Sequence, residues 1–129
     1  MSILLTSITS APTVTSDAYV DIPGLGLSLS DAGVRSGKVL VTLNVPTPYA
    51  TGNDFPGIQF AISTDYGVVA EGGFTYSQKN PESSGRMPFT LVAAITVDGH
   101  CTFVKGQWKS IRGSTLHIDS YACLSVVSA

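Results

Sequence analysis

Three arginines, Arg35, Arg86 and Arg112, are the only guanidinium groups in the 129 residues, and the last two fall in polar stretches among small hydroxylated side chains. A guanidinium presents a rigid fork of donors that matches vicinal sugar hydroxyls. Serine and threonine hydroxyls both donate and accept, and aromatic faces cover the apolar side of a pyranose. Tyr49, Thr75, Tyr76, Ser83, Ser84, Arg86 and Arg112 supply these types. The chemistry they suit is recognition of a polyol without bond breaking. Loop arginines are usually just solvated, so residue type alone does not make a site.

His117 and Asp119 stand two apart in a β-branched run, which puts both side chains on one face of a strand, as in half of a hydrolase triad. No Gly-x-Ser-x-Gly elbow accompanies them, and no serine pairs with this histidine by spacing, so the residues predict no enzyme. Two such ligands without a third define no metal site either. The pair reads as the polar edge of a binding surface, or as a satisfied structural histidine. Glu71 and Glu82 could bond further sugar units, although isolated acids near loops are more often surface residues. Cys101 and Cys123 are too few for a disulfide framework. If Cys101 to Val127 forms a hairpin they fall nearly opposite one another and a bridge is conceivable. Two half-buried free thiols are the plainer reading.

The elements that must position these groups are short, β-branched segments separated by Gly, Pro, Ser, Asn or Asp. Lys38 to Val45 alternates cleanly, with Val39, Val41, Leu43 and Val45 on one face. Ile58, Phe60 and Ile62 repeat the pattern, as do Phe89, Leu91, Ala93 and Ile95, and Val68 to Phe74 is a mixed run. Thr102–Trp108 and Thr115–Val127 flank a turn at 110–114 and predict an antiparallel pair. Pro46–Pro48, Tyr49–Gly57 and Ser77–Pro88 read as loops. Trp108, Phe60, Phe74, Phe89 and Phe103 read as core or interface packing. No segment reads as a long helix. Strands at this spacing predict a single all-β domain over residues 1–129, a jelly roll or related Greek-key sandwich.

Composition narrows the partners. A 43% apolar, 12% charged chain with mean hydropathy of +0.28 is too apolar for a monomer that must cover itself in polar groups, so other copies are expected to bury part of it. A net charge of -2 with scattered basic residues excludes a phosphate-tracking stripe, and so nucleic acid. The first residues carry an apolar run too short for a signal peptide or membrane span. The mature chain is therefore expected to be the one written, with no membrane insertion.

Longer stretches carry a resemblance. Tyr19-Val-Asp-Ile-Pro-Gly24, Leu43-Asn-Val-Pro-Thr-Pro-Tyr-Ala-Thr-Gly-Asn53, Gly85-Arg-Met-Pro-Phe-Thr-Leu-Val-Ala93, Phe103-Val-Lys-Gly-Gln-Trp-Lys-Ser110 and His117-Ile-Asp-Ser-Tyr-Ala122 are similar to the fucose-binding N-terminal domain of the Burkholderia superlectin family, nearly end to end. The resemblance implies a tumour-necrosis-factor-like jelly-roll sandwich, a homotrimer, and metal-free sites between subunits for fucosylated glycans of H and Lewis type. It implies no cofactor and no catalysis. Tyr49, Ser83, Ser84 and Arg86 would face fucose from one subunit, and Thr75, Tyr76 and Arg112 from its neighbour. Gln59, Glu71, Glu82, His117, Asp119 and Ser120 would lie near the site or the next sugars.

The family pattern is broken at Ser84, where Thr is expected, at Gln59, where Tyr is expected, and at Glu71, where Asp is expected. Fine specificity is therefore not carried over. The family's proteins continue into a second, calcium-dependent sugar-binding domain, and these residues are expected to be either a natural single-domain form or a piece of a longer chain. A bacterial lectin made without a visible export signal would be expected to act at the cell surface or outside. The alternative is a trimeric jelly-roll adhesion domain whose ligand is a protein.

Overall fold

The computed structural model describes residues 2–81 and 85–128. Its strands are β1 (Ser2–Ile8), β2 (Ala11–Val14), β3 (Val20–Ser28), β4 (Gly37–Val45), β5 (Pro48–Thr51), β6 (Gly57–Thr64), β7 (Gly67–Thr75), β8 (Phe89–Val97), β9 (Phe103–Ile111), β10 (Thr115–Ile118) and β11 (Ala122–Ser128). Every ladder is antiparallel. Among the described residues there is no helix long and apolar enough to cross a membrane.

One sheet runs β1-β11-β4-β8 and a second β3-β9-β6-β7. The pairs β1 with β11, β3 with β9, β4 with β8 and β6 with β7 nest inside one another, as in one long hairpin rolled on itself. That is a jelly roll, as the strand pattern predicts and as the tumour-necrosis-factor-like resemblance implies. A third sheet, β2-β10-β5, repeats the order β1-β11-β4 beyond short breaks in each chain segment. It is the bent extension of the first sheet.

Alternation explains which residues go inside. On β4, Val39, Val41, Leu43 and Val45 are buried while Lys38 and Leu40 face out. On β6 the period disappears, because Ile58, Phe60, Ala61 and Ile62 are all buried. Phe60 lies opposite Trp108 across the β6–β9 ladder and stacks on Phe89 at 4.6 Å between ring centroids. That contact joins the two sheets, and each such ring contributes about 1.5–3 kcal/mol through burial. Phe74 and Phe89 pack half-buried against this core. Phe103 instead carries the Lys105 ammonium 4.9 Å from its ring centroid.

Two expectations are corrected. The runs flanking residues 110–114 do not pair with each other: β9 lies between β3 and β6, whereas β10 and β11 belong to the other layer. Rolling requires the chain to cross between sheets at that turn, and the second run breaks into β10 and β11 at 119–121. Cys101 and Cys123 are therefore not cross-strand neighbours. Both are free, the first buried and the second half-buried. The second correction is that Tyr49 lies on a strand, β5, although Pro46, Pro48 and Pro56 made the segment read as a loop. An edge strand tolerates proline because its outer N–H groups need no partner.

Candidate functional site

The outward face of β5 and β10 carries the most organised polar cluster of the described residues. Pro48, Ala50, Leu116 and Ile118 point inward and are buried, which leaves Tyr49, Thr51, Thr115 and His117 on the other face. Tyr49 and His117 are directly opposite in the ladder. Their rings stack 4.3 Å apart at 6°. The Arg86 guanidinium lies 3.6 Å from the Tyr49 ring centroid. Two planar groups at these distances cannot share one face of a phenol ring, so Tyr49 is sandwiched between guanidinium and imidazole.

Asp119, just beyond the end of β10, completes the arrangement. Arg86 Nε donates to Asp119 Oδ2 at 2.9 Å, and Nη2 lies 2.9 Å from the same oxygen. The pair is partly exposed, with 35% and 50% of the side chains accessible. It orients more than it stabilises. His117 Nε2 meets Thr51 Oγ1 at 2.9 Å. Burial and the Arg86 charge push the imidazole below its usual pKa, against a weaker upward pull from Asp119. The carboxylate that would orient the histidine in a hydrolase is thus engaged by arginine instead.

Tyr76 joins this cluster from the start of the 76–88 connection. Its phenol donates to the Gly85 carbonyl, one residue before Arg86, and burial raises its pKa despite the backbone of Ala50 and the charge of Arg86. Met87 N–H donates to the Pro48 carbonyl at 3.1 Å, fixing the other side of Arg86 to β5, and Asp119 N–H donates to Thr47 O at 3.2 Å. Ser120 is tied to Thr47 through their hydroxyls at 2.6 Å. Glu82, Ser83 and Ser84 lie outside the described residues.

Arg112 and Thr75 sit elsewhere, at one end of β6. Gly57 faces Thr75 on one side and Ile111 on the other. Arg112 (φ 56) and Gly113 (φ 66) are both left-handed and form the centre of a turn closed by Ser114 N–H on Ile111 O at 3.3 Å. Such turns favour Gly and Asn, so arginine there is strained. The 52–56 loop holds it: Asn53 Nδ2 donates to the Arg112 carbonyl at 2.7 Å, and Arg112 Nη1 donates to Phe55 O at 3.0 Å. The fully buried Ser114 hydroxyl anchors the turn, 2.9 Å from Gly57 O and 2.8 Å from Ile111 O, and it accepts from Gly57 N–H at 3.3 Å. The same loop reaches β7's end, because Tyr76 N–H donates to Pro56 O at 2.8 Å.

Gln59 and Glu71 form a third group on the outer face of β6 and β7. Glu71 accepts from the Tyr19 phenol at 2.7 Å. Lys109 Nζ lies 4.6 Å from the centroid of the same ring. Burial and the Glu71 carboxylate push the phenol well above its usual range. Gly73 lets Gln59 lie across β7, since a Cβ there would stand 2.1 Å from Ile58 O and 2.8 Å from Gln59 Oε1. The structure therefore brings together Tyr49, Tyr76, Arg86, His117 and Asp119, and sets Arg112 and Thr75, then Gln59 and Glu71, in separate groups.

Thr51, Asn53, Phe55, Tyr19 and Lys109 are additional participants. Thr51 was findable, since it lies two residues beyond Tyr49 and shares its face of the strand. The others depend on loop and cross-sheet geometry. Among the described residues no cluster of three or more His, Cys, Asp or Glu is placed to hold a metal ion.

The family model described as the Bc2l-C N-terminal domain matches residues 6–127. Among curated proteins no sequence matches the chain. Solved structures resemble the chain at low identity. Dimeric latent PorU from Porphyromonas gingivalis has a TM-score of 0.53 and 9% identity over 96% of this chain, which spans 12% of that one. Eiger TNF from S. frugiperda has a TM-score of 0.43 and 12% identity over 98% and 93% of the two chains. VP2 of the infectious bursal disease virus subviral particle gives 0.43 and 11% over 97% and 32%.

Proposed function

The chain belongs to the Bc2l-C N-terminal domain family, a family of lectin-type carbohydrate-binding domains, and from that premise we propose that it is a fucose-binding lectin working as a homotrimer. The observation that carries this reading is the Arg86 guanidinium, laid on Tyr49 and held by Asp119. A pre-oriented fork of donors beside aromatic faces and hydroxyls suits vicinal hydroxyls of a deoxyhexose. Tyr49, Ser83, Ser84 and Arg86 come from one subunit and Thr75 and Arg112 from its neighbour, with Tyr76 at the seam. Gln59, Glu71, Glu82, His117, Asp119 and Ser120 border the next sugars of H-type and Lewis-type glycans, displayed at a cell surface or outside the cell.

The outer face of β1-β11-β4-β8 supports association. Ile3, Leu5, Leu40 and Val92 are 68, 59, 46 and 52% exposed, and the ladders put them in two rows, Ile3–Val127–Leu40–Ala94 and Leu5–Ser125–Thr42–Val92. A sheet face with one apolar row, and with exposed Leu5 and Val92 at the ends of the next, suits contact with further copies around an axis. Each sugar hydroxyl bond contributes about 0.5–1.5 kcal/mol net, so one fucose binds weakly. Several sites on one assembly raise avidity by roughly 10²–10⁴ on dense glycans.

The test is retention on immobilised fucose, with mass in solution measured by light scattering. Elution by soluble fucose and not by chelator, from a trimer, is expected. A chain that passes through unretained, or a monomer that holds the sugar, overturns the reading. A glycan array then reads the linkage preference.

A further inference from the structure

The Arg86 cluster contains more than a sugar contact needs. Arg86 is fixed from two directions by groups of one strand end: Asp119 takes Nε and Nη2, and His117 backs the ring on which the guanidinium rests. We propose that His117 and Asp119 are positioning residues for Arg86, and that the site is competent only while the His117 imidazole is neutral, so that acid releases the glycan. The inference rests on the lectin reading and adds a condition to it.

The argument is geometric. Tyr49 has one face covered by a permanent cation and the other by His117. A proton on the imidazole places a second cation across the same ring, at distances where like charges repel even near a surface. It also gives Asp119 a second claimant. The Asp119 carboxylate acts on His117 as well as on Arg86, so an imidazolium competes with Arg86 for the carboxylate that aims the fork.

Among the described residues, the groups facing His117 are few. From β5 come Tyr49 and Thr51, from the 76–88 connection Arg86, and from the end of its own strand Asp119. The partner on its other side, β2, is Ala-Pro-Thr-Val and carries no titratable side chain. Arg86 is the only permanent charge among them and disfavours the proton. Burial acts in the same direction, and the downward shift of the His117 pKa follows from both.

The sign is set by that depression. The imidazole is neutral at and above its ordinary value of about 6.5, and the arrangement is lost as pH falls through the lower value in the folded chain. With affinity scaled by the neutral fraction, an imidazole at its ordinary value would weaken binding by about 30-fold between pH 7.5 and 5, and the depression makes the fall smaller than that.

The experiment measures methyl α-L-fucoside affinity by calorimetry from pH 7.5 to 5 for the whole protein, His117→Phe and Asp119→Asn, with assembly checked by light scattering at each pH. The monosaccharide leaves contacts to outer sugars out of the comparison. Expected is a fall in affinity across the range, smaller than about 30-fold, for the unmodified protein, a ratio near one for His117→Phe whatever its absolute affinity, and weaker binding at every pH for Asp119→Asn. A flat profile in the unmodified protein, or an equal slope in His117→Phe, overturns the proposal.

A ligand-free readout separates this from failure of the lectin reading. The Arg86 Nε–H resonance, assigned through its loss in Arg86→Lys, should shift with the His117 titration and stay fixed in His117→Phe. If fucoside fails to bind at pH 7.5 while this resonance titrates, the lectin reading falls and the positioning role stands. If the resonance ignores His117, the positioning role falls.

Discussion

Two arginines are held in opposite ways. Arg86 lies on a flat, regular face, oriented by a carboxylate and an aromatic ring, with Met87 beside it tied to β5 by a backbone bond. Arg112 sits at the centre of a left-handed turn, oriented by neutral carbonyl and amide groups of the 52–56 loop. The first is placed by electrostatics on an unstrained backbone, the second by backbone geometry that disfavours its own residue type. Salt and acid should therefore act on the Arg86 side, while turn stability should govern the Arg112 side.

The largest expected effect tests whether both belong to one site. Arg86→Ala and Arg112→Ala should each weaken retention on fucose by about 100-fold or more, since each removes charge-assisted bonds contributing about 1.5–3 kcal/mol apiece. Mass in solution should not change. If one variant is retained like the unmodified protein, the two arginines serve different surfaces. Leu40→Glu, on the exposed apolar face, asks whether they meet through association. It should give a monomer that is no longer retained, and a monomer that still holds fucose would assign the sugar to the Arg86 side alone.

Ser114→Ala acts on one side only. Its buried hydroxyl bonds Gly57 and Ile111, and removing it strands those groups at a cost of about 1–3 kcal/mol, measurable by denaturant unfolding. The turn that carries Arg112 should loosen, while the stack of Tyr49 and His117 should keep its ring-shifted resonances. Loss of those resonances too would make the two regions one cooperative unit.

How far the sequence reveals this depends on the range of the interaction. The buried faces of β4 and β8 are legible because a period of two requires only adjacent residues, whereas the burial of both faces of β6 is not. The β9–β10 crossing is not legible: a turn signal between two β-branched runs is the same whether they pair or separate into two layers, and only rolling of the whole chain decides. The residue types of Tyr49, Arg86, His117 and Asp119 suggest polyol recognition, but the Tyr49–His117 register arises from pairing between distant strands. A local signal for the strained turn did exist, in Gly113 following Arg112, since paired left-handed residues favour glycine second. What the turn anchors to, Asn53 and Phe55, follows from tertiary packing alone.

The smallest effect separates the arginines by sign. Arg86→Ala removes a partly exposed ion pair, and such pairs contribute about 0–1 kcal/mol, so stability should fall by no more than that. Arg112→Gly relieves a left-handed non-glycine residue, whose cost is about 1–2 kcal/mol, and forfeits the bond to Phe55 O, which is exposed and so is screened by water to a net value of about 0.5–1.5 kcal/mol despite the charged donor. The gain should exceed the loss slightly, raising stability by about 0.5 kcal/mol while sugar retention is lost. Parallel unfolding curves for the two variants read the difference directly. Stability falling in Arg112→Gly would mean that the guanidinium, and not only the turn, holds the 52–56 loop, and the contrast between the two sites would narrow to one of charge.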